Sequence, residues 1–473
     1  MGLTPGPHGV KYLLREGCAE AWREYQKLED ISNKYKASRS QTMAVLDGNV
    51  LLKAIPKKVT SFWGILQILR RKVQQAFDAA KHVVIVLDEP LSTTKAKRET
   101  QSKRDDDSRR KAPTMSADLQ EPIPENDDYL FSDVVDPANT NVRLILAVRN
   151  ARGRVYDEIM AQLLESFRTP DFKNDGSTLT IDGNEARGGN RPIGSRREPT
   201  LTSTNMEMWK DVIQREQPMG EGDLKLPDVC ARVYKVESGP LSKIALFVNQ
   251  TVDMDAIPIE LFEEGRRRHR GDDARPQVMV LAIPEPERKK KDELPVDAHI
   301  KFVDIAMLYD EIMEIVFGNE PVTAEIGNAA IALLAVGWAA CGCDYVKIDG
   351  MRADFMLDAV KYAMANRREE CLRILQIHSG VKGSTMMALP AIHELFAAYS
   401  IVLQGEAKMQ ISRNKASQYQ DQAVLKCLWT AAYWSGTEFK NVTEWGFVPM
   451  APPEAPARAE PEDAPAPQRS KKE

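Results

Sequence analysis

Three apolar runs, each leading to an acidic residue, are the feature that most restricts how this chain can fold. The runs cover residues 43–47, 83–88 and 244–248, and they lead to Asp47, Asp88 and Asp253 respectively. Continuous apolar runs of this kind are typical of central strands in a parallel sheet that is covered on both faces. Between the first two runs, residues 62–80 place apolar side chains at helical spacing, which predicts the crossover helix of a β-α-β unit.

Two pairs of acids, each pair spaced by one residue, lie in the middle of the chain: Glu221 with Asp223, and Asp253 with Asp255. An Asp-x-Asp pair at the end of a strand is predicted to turn both carboxylates to one side, because strand side chains alternate. In open α/β sheets, ligands bind beyond the carboxyl ends of the strands, where the acids that follow the three runs are predicted to lie. Crowded carboxylates repel one another, so a site that collects several of them favours binding of Mg²⁺ or Mn²⁺.

Composition predicts a soluble intracellular protein with a substantial core. The 473 residues are 43% hydrophobic and 28% charged, which is enough for one large domain or two. The longest apolar stretch, residues 329–341, is predicted to be a buried helix that is too short to span a bilayer, so no membrane partner is expected. The six cysteines show no CxxC pair and no zinc spacing with histidine, which predicts reduced thiols. The net charge of −5 gives no global reason for nucleic-acid binding, so such a surface would be local.

The pattern along the chain predicts an α/β fold in which a mostly parallel sheet flanked by helices is followed by a mostly helical C-terminal half. Residues 1–300 are predicted to form the core that contains the sheet, with irregular surface insertions at 112–200 and 263–297. In residues 301–445, apolar residues recur at helical spacing. The helices are predicted at 302–317, 324–340, 353–364, 391–403 and 422–434. The Pro/Ala/Glu-rich tail at 446–473 is predicted to be disordered.

Six short motifs occur in order along the chain and carry a family resemblance. They are Met1-Gly2-Leu3, Leu46-Asp47-Gly48-Asn49, Leu87-Asp88, Gly220-Glu221-Gly222-Asp223, Asp253-Met254-Asp255 and Gly342-Cys343-Asp344-Tyr345. This ordered series resembles the 5′ nuclease superfamily, which includes flap endonucleases and Xrn-type 5′→3′ exoribonucleases. The motif at 220–223 is more similar to the Xrn branch, and the last two motifs are more similar to the flap endonucleases. The region at 112–220 has no clear counterpart in cellular flap endonucleases, which is typical of a divergent member such as a viral one.

The resemblance implies a PIN-like fold and an active site that binds two divalent metal ions, Mg²⁺ or Mn²⁺. The acids that it assigns to the metals, and to catalysis, are Asp47, Asp88, Glu221, Asp223, Asp253, Asp255 and Asp344. Two such metals activate the attacking water and stabilise charge on the phosphate and on the leaving oxygen. This chemistry needs no histidine or cysteine nucleophile, which agrees with the lack of histidine in all six motifs.

A stretch rich in basic residues follows the second acid and includes Lys95, Lys97, Gln101 and Arg104. Taken alone, such a stretch with acids interspersed is typical of a solvated helix face or a localisation signal. In the 5′ nucleases, a helix at this position contacts the scissile or 5′-terminal phosphate, and the resemblance implies that role here. Lys97, Gln101 and Arg104 have the spacing of the Xrn pattern and fit one helical face, whereas Lys95 has the offset of the flap endonucleases. Contacts of this kind would hold the phosphate of any base sequence.

Residues 345–365 resemble the helix-turn-helix element with which flap endonucleases hold duplex DNA. The usual Gly-x-Gly turn of that element is reduced here to Asp349-Gly350. Two further positions depart from the family pattern: Glu89 stands where glycine is usual, and Lys53 stands where an aromatic residue or histidine commonly stacks on the first base.

The sequence therefore predicts a metal-dependent nuclease that cuts DNA or RNA at or near a 5′ end, with a DNA flap or an RNA 5′ end as its nucleic-acid partner. Two alternatives remain open. One is a catalytically silent nucleic-acid-binding scaffold that retains the fold, although binding alone would not need so many carboxylates beside a phosphate. The other is a generic PIN-type endoribonuclease with fewer metal ligands, which would cut circular single strands as well as linear ones.

Overall fold

The computed structural model describes residues 17–25, 28–53, 55–56, 59–87, 92–93, 159–182, 201–213, 222–251, 253–271, 278–284, 300–343, 345–346, 348, 351–379, 384–404, 422–434 and 448–449. The strands in these ranges are β1 (Trp22–Tyr25), β2 (Thr42–Asp47), β3 (His82–Val86), β4 (Ser92–Thr93), β5 (Thr178–Asp182), β6 (Leu201–Ser203), β7 (Leu246–Gln250), β8 (Val278–Pro284), β9 (Ile300–Asp304) and β10 (Val448–Pro449). In chain order, the helices that precede β9 are α1 (Leu28–Lys34), α2 (Gly48–Lys53), α3 (Phe62–Ala79), α4 (Pro170–Asn174), α5 (Met206–Ile213), α6 (Gly222–Tyr234) and α7 (Ala256–Arg270). The helices after it are α8 (Ile305–Phe317), α9 (Ala324–Cys341), α10 (Met356–Asn366), α11 (Arg368–Leu372), α12 (Ser384–Gln404) and α13 (Gln422–Trp434).

Eight of these strands form one sheet in the order β1-β9-β8-β7-β2-β3-β5-β6. The central strands from β8 to β5 are parallel, and β9, β1 and β6 add antiparallel edges. β4 and β10 form a separate antiparallel pair. The prediction of an α/β fold with a mostly parallel sheet is confirmed, and the three apolar runs form β2, β3 and β7.

In chain order, the sheet grows from β2 in two directions. β3 and then β5 are added on one side of β2, and β7 and then β8 are added on the other side. The strand order therefore reverses between β2 and β7. In open α/β sheets, this reversal leaves a crevice beyond the carboxyl ends of the two strands, where ligands bind.

The central strands separate two cores because their side chains alternate. In β2, Met43 and Val45 pack in the core that includes α6, whereas Ala44 and Leu46 pack in the core that includes α3. Helix α3 is the predicted crossover. Its apolar residues at helical spacing are buried as expected, and the side chain of Ser61 caps its first turn by accepting from the Gly64 amide over 3.2 Å. By the same alternation, the last residue of β2, Asp47, faces α6.

Helix α9 lies at the centre of the C-terminal half. Residues 329–341 are all buried, as predicted, and α9 packs against α7, α10, α12 and α13. The helix begins at Ala324, as the helical spacing predicted, and polar residues of its first turns continue it beyond the apolar stretch. In the described ranges, α9 and the segment Met387–Gln404 of α12 are each long and apolar enough to cross a membrane by length and composition alone, and most of both segments is buried within the protein.

The predicted surface insertions contain parts of the sheet, so that prediction is wrong for the residues described. β5 lies beside β3, and β8 lies beside β7, both in parallel register. Residues 263–270 belong to α7, where Glu263 and Glu264 are buried. The prediction missed this helix because the segment is highly charged. Its glutamates pair with arginines of the next turn, as Glu264 does with Arg267 at 2.8 Å. Residues 112–158, 183–200, 272–277 and 285–297 lie outside the described residues.

The start of the helical half also differs from the prediction. Residues 302–304 belong to β9 rather than to a helix, and α8 begins at Ile305. Asp304 ends the strand and caps the helix, since its carboxylate accepts from the Met307 amide over 3.1 Å. Helices α9, α10, α12 and α13 confirm the other four predicted segments. Of the tail predicted to be disordered, the structure describes β10, and 446–447 and 450–473 lie outside the described residues.

The six cysteines are all free, as predicted. Five of them are buried, and burial raises the pKa of the Cys371 thiol, for example, to about 12. Buried thiols of this kind behave as small apolar core residues.

Candidate functional site

Four of the seven predicted metal-binding acids lie in the described part of the chain. These are Asp47, Asp223, Asp253 and Asp255. The other three acids, Asp88, Glu221 and Asp344, lie outside the described residues, and so do Lys95, Lys97, Gln101 and Arg104. The turn of the predicted helix-turn-helix element, Asp349-Gly350, is also outside them, between α9 and α10. The roles predicted for all of these residues stay predictions.

The hydroxyl of Thr251 is the centre of the described site. Its Oγ1 lies 3.4 Å from Asp47 Oδ2 and 3.2 Å from Asp223 Oδ1. The backbone N–H of Asp253 donates to the same Oγ1 over 3.1 Å, which leaves the hydroxyl hydrogen to be donated to a carboxylate. A hydroxyl has one hydrogen, so it serves one of the two carboxylates at a time. Thr251 thereby joins the end of β2, the first turn of α6 and the loop that follows β7.

The local fold explains why these three side chains meet. Asp47 is 6% exposed, and its Oδ1 accepts from the Val50 amide over 3.3 Å at the start of α2. Asp223 lies in the first turn of α6, where the partial positive charge of a helix N-terminus favours an acid. Thr251 follows β7 by one residue and has the same parity as Phe247, which packs in the core that includes α6. All three side chains therefore point into the crevice where the strand order reverses.

Asp253 is joined to this cluster through its backbone N–H, and Asp255 follows in the same turn, but the predicted reason for their orientation is wrong. β7 ends at Gln250, so the pair lies in the turn between β7 and α7 rather than in the strand. Asp255 is the residue that precedes α7 and is 7% exposed. Its N–H points to Asp253 Oδ1 at 3.5 Å. A turn closed by these contacts orients the pair, and the alternation of strand side chains does not.

The donor atoms of the site are suited to hard divalent cations. The facing oxygens of Asp47 and Asp223 both lie within 3.4 Å of Thr251 Oγ1, so the two carboxylates are close to each other. Two carboxylates at such a separation repel each other unless a cation or a proton compensates, and carboxylate and hydroxyl oxygens are the ligands that Mg²⁺ and Mn²⁺ prefer. Within the described residues, no three His, Cys, Asp or Glu side chains are grouped tightly enough to form a metal site by themselves. A complete ligand set would therefore need the acids predicted at 88, 221 and 344.

A buried ion pair at the same edge of the sheet was missed by the sequence reasoning. Asp182 is the last residue of β5, and Lys225 lies on α6 two residues after Asp223. Lys225 Nζ lies 3.5 Å from Asp182 Oδ1, and both side chains are almost completely buried. The signal in the sequence is a lysine between two leucines, Leu224 and Leu226, in a helix that faces the sheet.

A second cluster of polar side chains, formed by Asn249, Glu260 and Cys230, lies one layer beneath the carboxylates, on the same side of β7 as Thr251. Asn249 Nδ2 donates to Glu260 Oε1 of α7 over 2.5 Å, and the Cys230 thiol donates to Asn249 Oδ1 over 3.3 Å. Burial raises the pKa of Glu260 to about 8, although the bond from Asn249 opposes this shift. Glu260 is therefore mostly protonated at neutral pH.

The described architecture defines an α/β protein with a doubly wound, mostly parallel sheet and a carboxylate cluster at the reversal of strand order. No protein-family model matches the chain. A search of curated proteins also gives no significant match.

Proposed function

We propose that this protein is a metal-dependent 5′ nuclease with a PIN-like fold, which hydrolyses phosphodiester bonds of DNA or RNA at or near a 5′ end. The observation that carries the proposal is the convergence of Asp47 and Asp223 on Thr251 at the reversal of strand order. Like charges brought together around a neutral hydroxyl are suited to bind a cation, and their mutual repulsion is unfavourable for folding. The order of the acids along the chain, which resembles that of the 5′ nucleases, supports the same class.

The proposed ligands of two divalent ions, Mg²⁺ or Mn²⁺, are Asp47, Asp88, Glu221, Asp223, Asp253, Asp255 and Asp344. When bound, such ions supply an activated water and stabilise charge on the phosphate and on the leaving oxygen. Besides supplying four of these ligands, the described residues hold them in position. Thr251 contacts the facing carboxylates of Asp47 and Asp223 and accepts from the Asp253 backbone N–H, which supports a common site for these acids. Since β2 and α6 are anchored in the core, the ligands are held ready before any substrate binds.

Substrate binding needs a cationic surface near the carboxylates, because a cluster of acids repels a polyanion. Lys95, Lys97 and Arg104 are proposed to supply this charge, and Gln101 to join them as a neutral hydrogen-bond donor in holding the phosphate at the 5′ end. A contact of this kind reads charge rather than bases. Loss of one of these basic residues should therefore weaken binding to all base sequences alike and reduce the salt dependence of binding.

The direct test is a cleavage assay with the full chain and Mn²⁺. The substrates are 5′-labelled flap DNA, linear single-stranded DNA and RNA with a 5′ monophosphate, and the lengths of the products are measured. We expect cleavage at or near the 5′ end of at least one substrate, and loss of that cleavage in the double variant Asp253→Asn/Asp255→Asn. The matched control is Asp228→Asn, which neutralises a partly exposed acid of α6 that is paired with Arg232 at 2.9 Å. Unchanged cleavage in the double variant would rule out the proposed site.

The same assay separates the two alternative classes. A silent scaffold would bind the labelled strands with no product from the wild-type protein at any Mn²⁺ concentration. A PIN-type endoribonuclease would cut a circular single strand as readily as a linear one, whereas the proposed 5′ nuclease needs a free 5′ end. Circular and linear forms of one sequence therefore form the discriminating pair.

A further inference from the structure

Two contacts hold the first turn of α6 from different sides. Asp223 contacts Thr251, on the side of β2 and β7. Lys225 reaches Asp182 at the end of β5, which lies two strands from β2 on the opposite side of β3. Residues two apart on a helix point in nearly opposite directions, so the two contacts together fix the rotation of this turn about the helix axis.

Side-chain parity in β5 supports the direction of the second contact. Leu179 and Ile181 pack in the core that includes α3, so Asp182 faces the opposite layer, which contains α6. Both side chains of the ion pair are at most 2% exposed, and the Nζ–Oδ1 distance is 3.5 Å. This is longer than the roughly 2.8 Å of a tight charge-assisted hydrogen bond.

Stability alone does not account for charges at these two positions. Removing two charges from water is unfavourable, and a buried ion pair can often be replaced by apolar residues of similar volume with no loss of stability. The neighbours Leu224 and Leu226 are buried in the same core, so an apolar side chain at 225 would have apolar contacts. A charged pair differs from an apolar pair in having one defined geometry, which suits a role in placing the adjacent acid.

We propose that Lys225, through its ion pair with Asp182, is a positioning residue of the nuclease site. The pair sets the rotation of the first turn of α6, and this rotation directs the Asp223 carboxylate toward Thr251 and Asp47. The inference rests on the proposed function, because the proposed reaction is the one that this placement of Asp223 serves. Residues that orient metal ligands without touching the metal typically change metal affinity or activity by about 10- to 100-fold when they are replaced.

Charge and geometry predict opposite effects of removing the ammonium group. If Lys225 acted only as a positive charge near the acids, its removal would make the site more negative and strengthen binding of a divalent cation. If Lys225 positions Asp223, its removal weakens cation binding despite the more negative site. The direction of the change in Mn²⁺ affinity therefore distinguishes the two roles.

The experiment measures the Mn²⁺ concentration that gives half of the maximal thermal stabilisation of the full chain, without nucleic acid, and also kcat and KM for cleavage. The variants are Lys225→Met, Lys225→Arg and the double variant Lys225→Met/Asp182→Leu, which leaves no unpaired charge. The matched control is Arg232→Met, which breaks an ion pair further along the same helix. We expect the Mn²⁺ midpoint to rise about tenfold or more in Lys225→Met, with a fall in kcat larger than the change in KM.

The double variant should lose as much as Lys225→Met, because the two residues act as one unit, and Lys225→Arg should keep most of the wild-type affinity. An unchanged or lower Mn²⁺ midpoint in both variants that carry Lys225→Met would overturn the proposal. If Lys225→Met does not fold, the double variant decides alone. If the wild-type protein cuts none of the substrates, the Mn²⁺ midpoints still test the role of Lys225. If the wild-type protein cuts a substrate and the Lys225 variants cut it equally well, this inference is refuted and the proposed function stands.

Discussion

The two edges of the parallel sheet use polar residues in opposite ways. At the amino edge, His82 and Thr178 begin neighbouring strands in register. Thr178 Oγ1 lies 2.8 Å from His82 Nδ1 and 3.0 Å from the indole nitrogen of Trp209. On the same edge, Arg39 donates to the Phe77 carbonyl and to the side chains of Asp175 and Ser177. Each of these contacts joins a donor to an acceptor of neutral or opposite charge, so this edge stabilises the fold.

At the carboxyl edge, Asp47 and Asp223 face one hydroxyl that has a single hydrogen. This arrangement brings like charges together and is unfavourable for folding. Proteins keep such arrangements where function requires them, and the rest of the structure compensates. The difference between the edges agrees with the proposed function: the amino edge holds the sheet together, and the carboxyl edge is proposed to bind a ligand.

The substitution with the largest expected effect on this comparison is Asp223→Asn. The amide keeps the size of the side chain and can still bond to Thr251, but it removes the charge that a metal ligand needs. We expect cleavage to fall by about 10²- to 10³-fold, the loss typical of a group that stabilises charge in the transition state. The melting temperature of the metal-free protein should stay the same or rise, because repulsion from Asp47 is relieved. A large loss of stability with unchanged cleavage would place Asp223 with the structural residues of the amino edge.

Part of the carboxyl edge was predictable from sequence, because it depends on which residues end the strands. The runs at 43–47 and 244–248 are continuous and apolar, so their strands and the acids after them were found. Helix α3 was found because its apolar residues follow one face. The meeting of Asp47 with the acids of the other strands was likewise expected from the geometry of parallel sheets.

The missed elements have mixed composition for identifiable physical reasons. β5 alternates threonine with apolar residues because one of its faces carries buried polar contacts, from Thr178 to Trp209 of α5 and from Asp182 to Lys225 of α6. The end of α7 buries Glu263 and Glu264 by pairing them within the helix. Thr251 and Lys225 were missed because each depends on a partner distant in sequence, and one sequence does not reveal such pairs.

Below the carboxyl edge, the buried Glu260 predicts a loss of stability as pH rises from about 4.5 to about 8. Its pKa is about 8 in the folded protein against an ordinary value of 4.5, so between these values the folded protein binds a proton that the unfolded chain does not. Stability should therefore fall as pH rises through this window, by up to about 1.4 kcal/mol for each pH unit. The variant Glu260→Gln imitates the protonated acid, so it should flatten this slope and exceed the wild type in stability at pH 8. Urea unfolding across the window measures the slope, with the exposed Glu237→Gln as control; equal slopes in wild type and Glu260→Gln would refute the assignment.

At the amino edge, His82 predicts the opposite dependence. Burial, with the nearby charges of Lys81 and Arg39, lowers the pKa of His82 from 6.5 to about 4. In this window the unfolded chain takes up a proton that the folded protein excludes, so stability should fall as pH drops from about 6.5 to about 4. The loss should total roughly 3 kcal/mol at most. Acid unfolding curves should be less steep for His82→Gln than for the wild type, and the same steepness in both would mean that another group controls the acid transition.

The smallest expected effect comes from Thr251→Val, which removes the hydroxyl between the carboxylates and keeps the shape of the side chain. Asp47 and Asp223 then lose their shared donor, and the Asp253 amide loses its acceptor. We expect stability to fall by about 1 kcal/mol and cleavage by about tenfold, as for other groups that orient metal ligands. Thr251→Ser retains the hydroxyl and should restore most of the cleavage.

The matched change at the amino edge is Thr178→Val, which removes a hydroxyl with two side-chain partners. This variant should lower the urea midpoint and leave kcat unchanged. If both valine variants lowered kcat equally after correction for the folded fraction, the proposed division of roles between the two edges would be wrong.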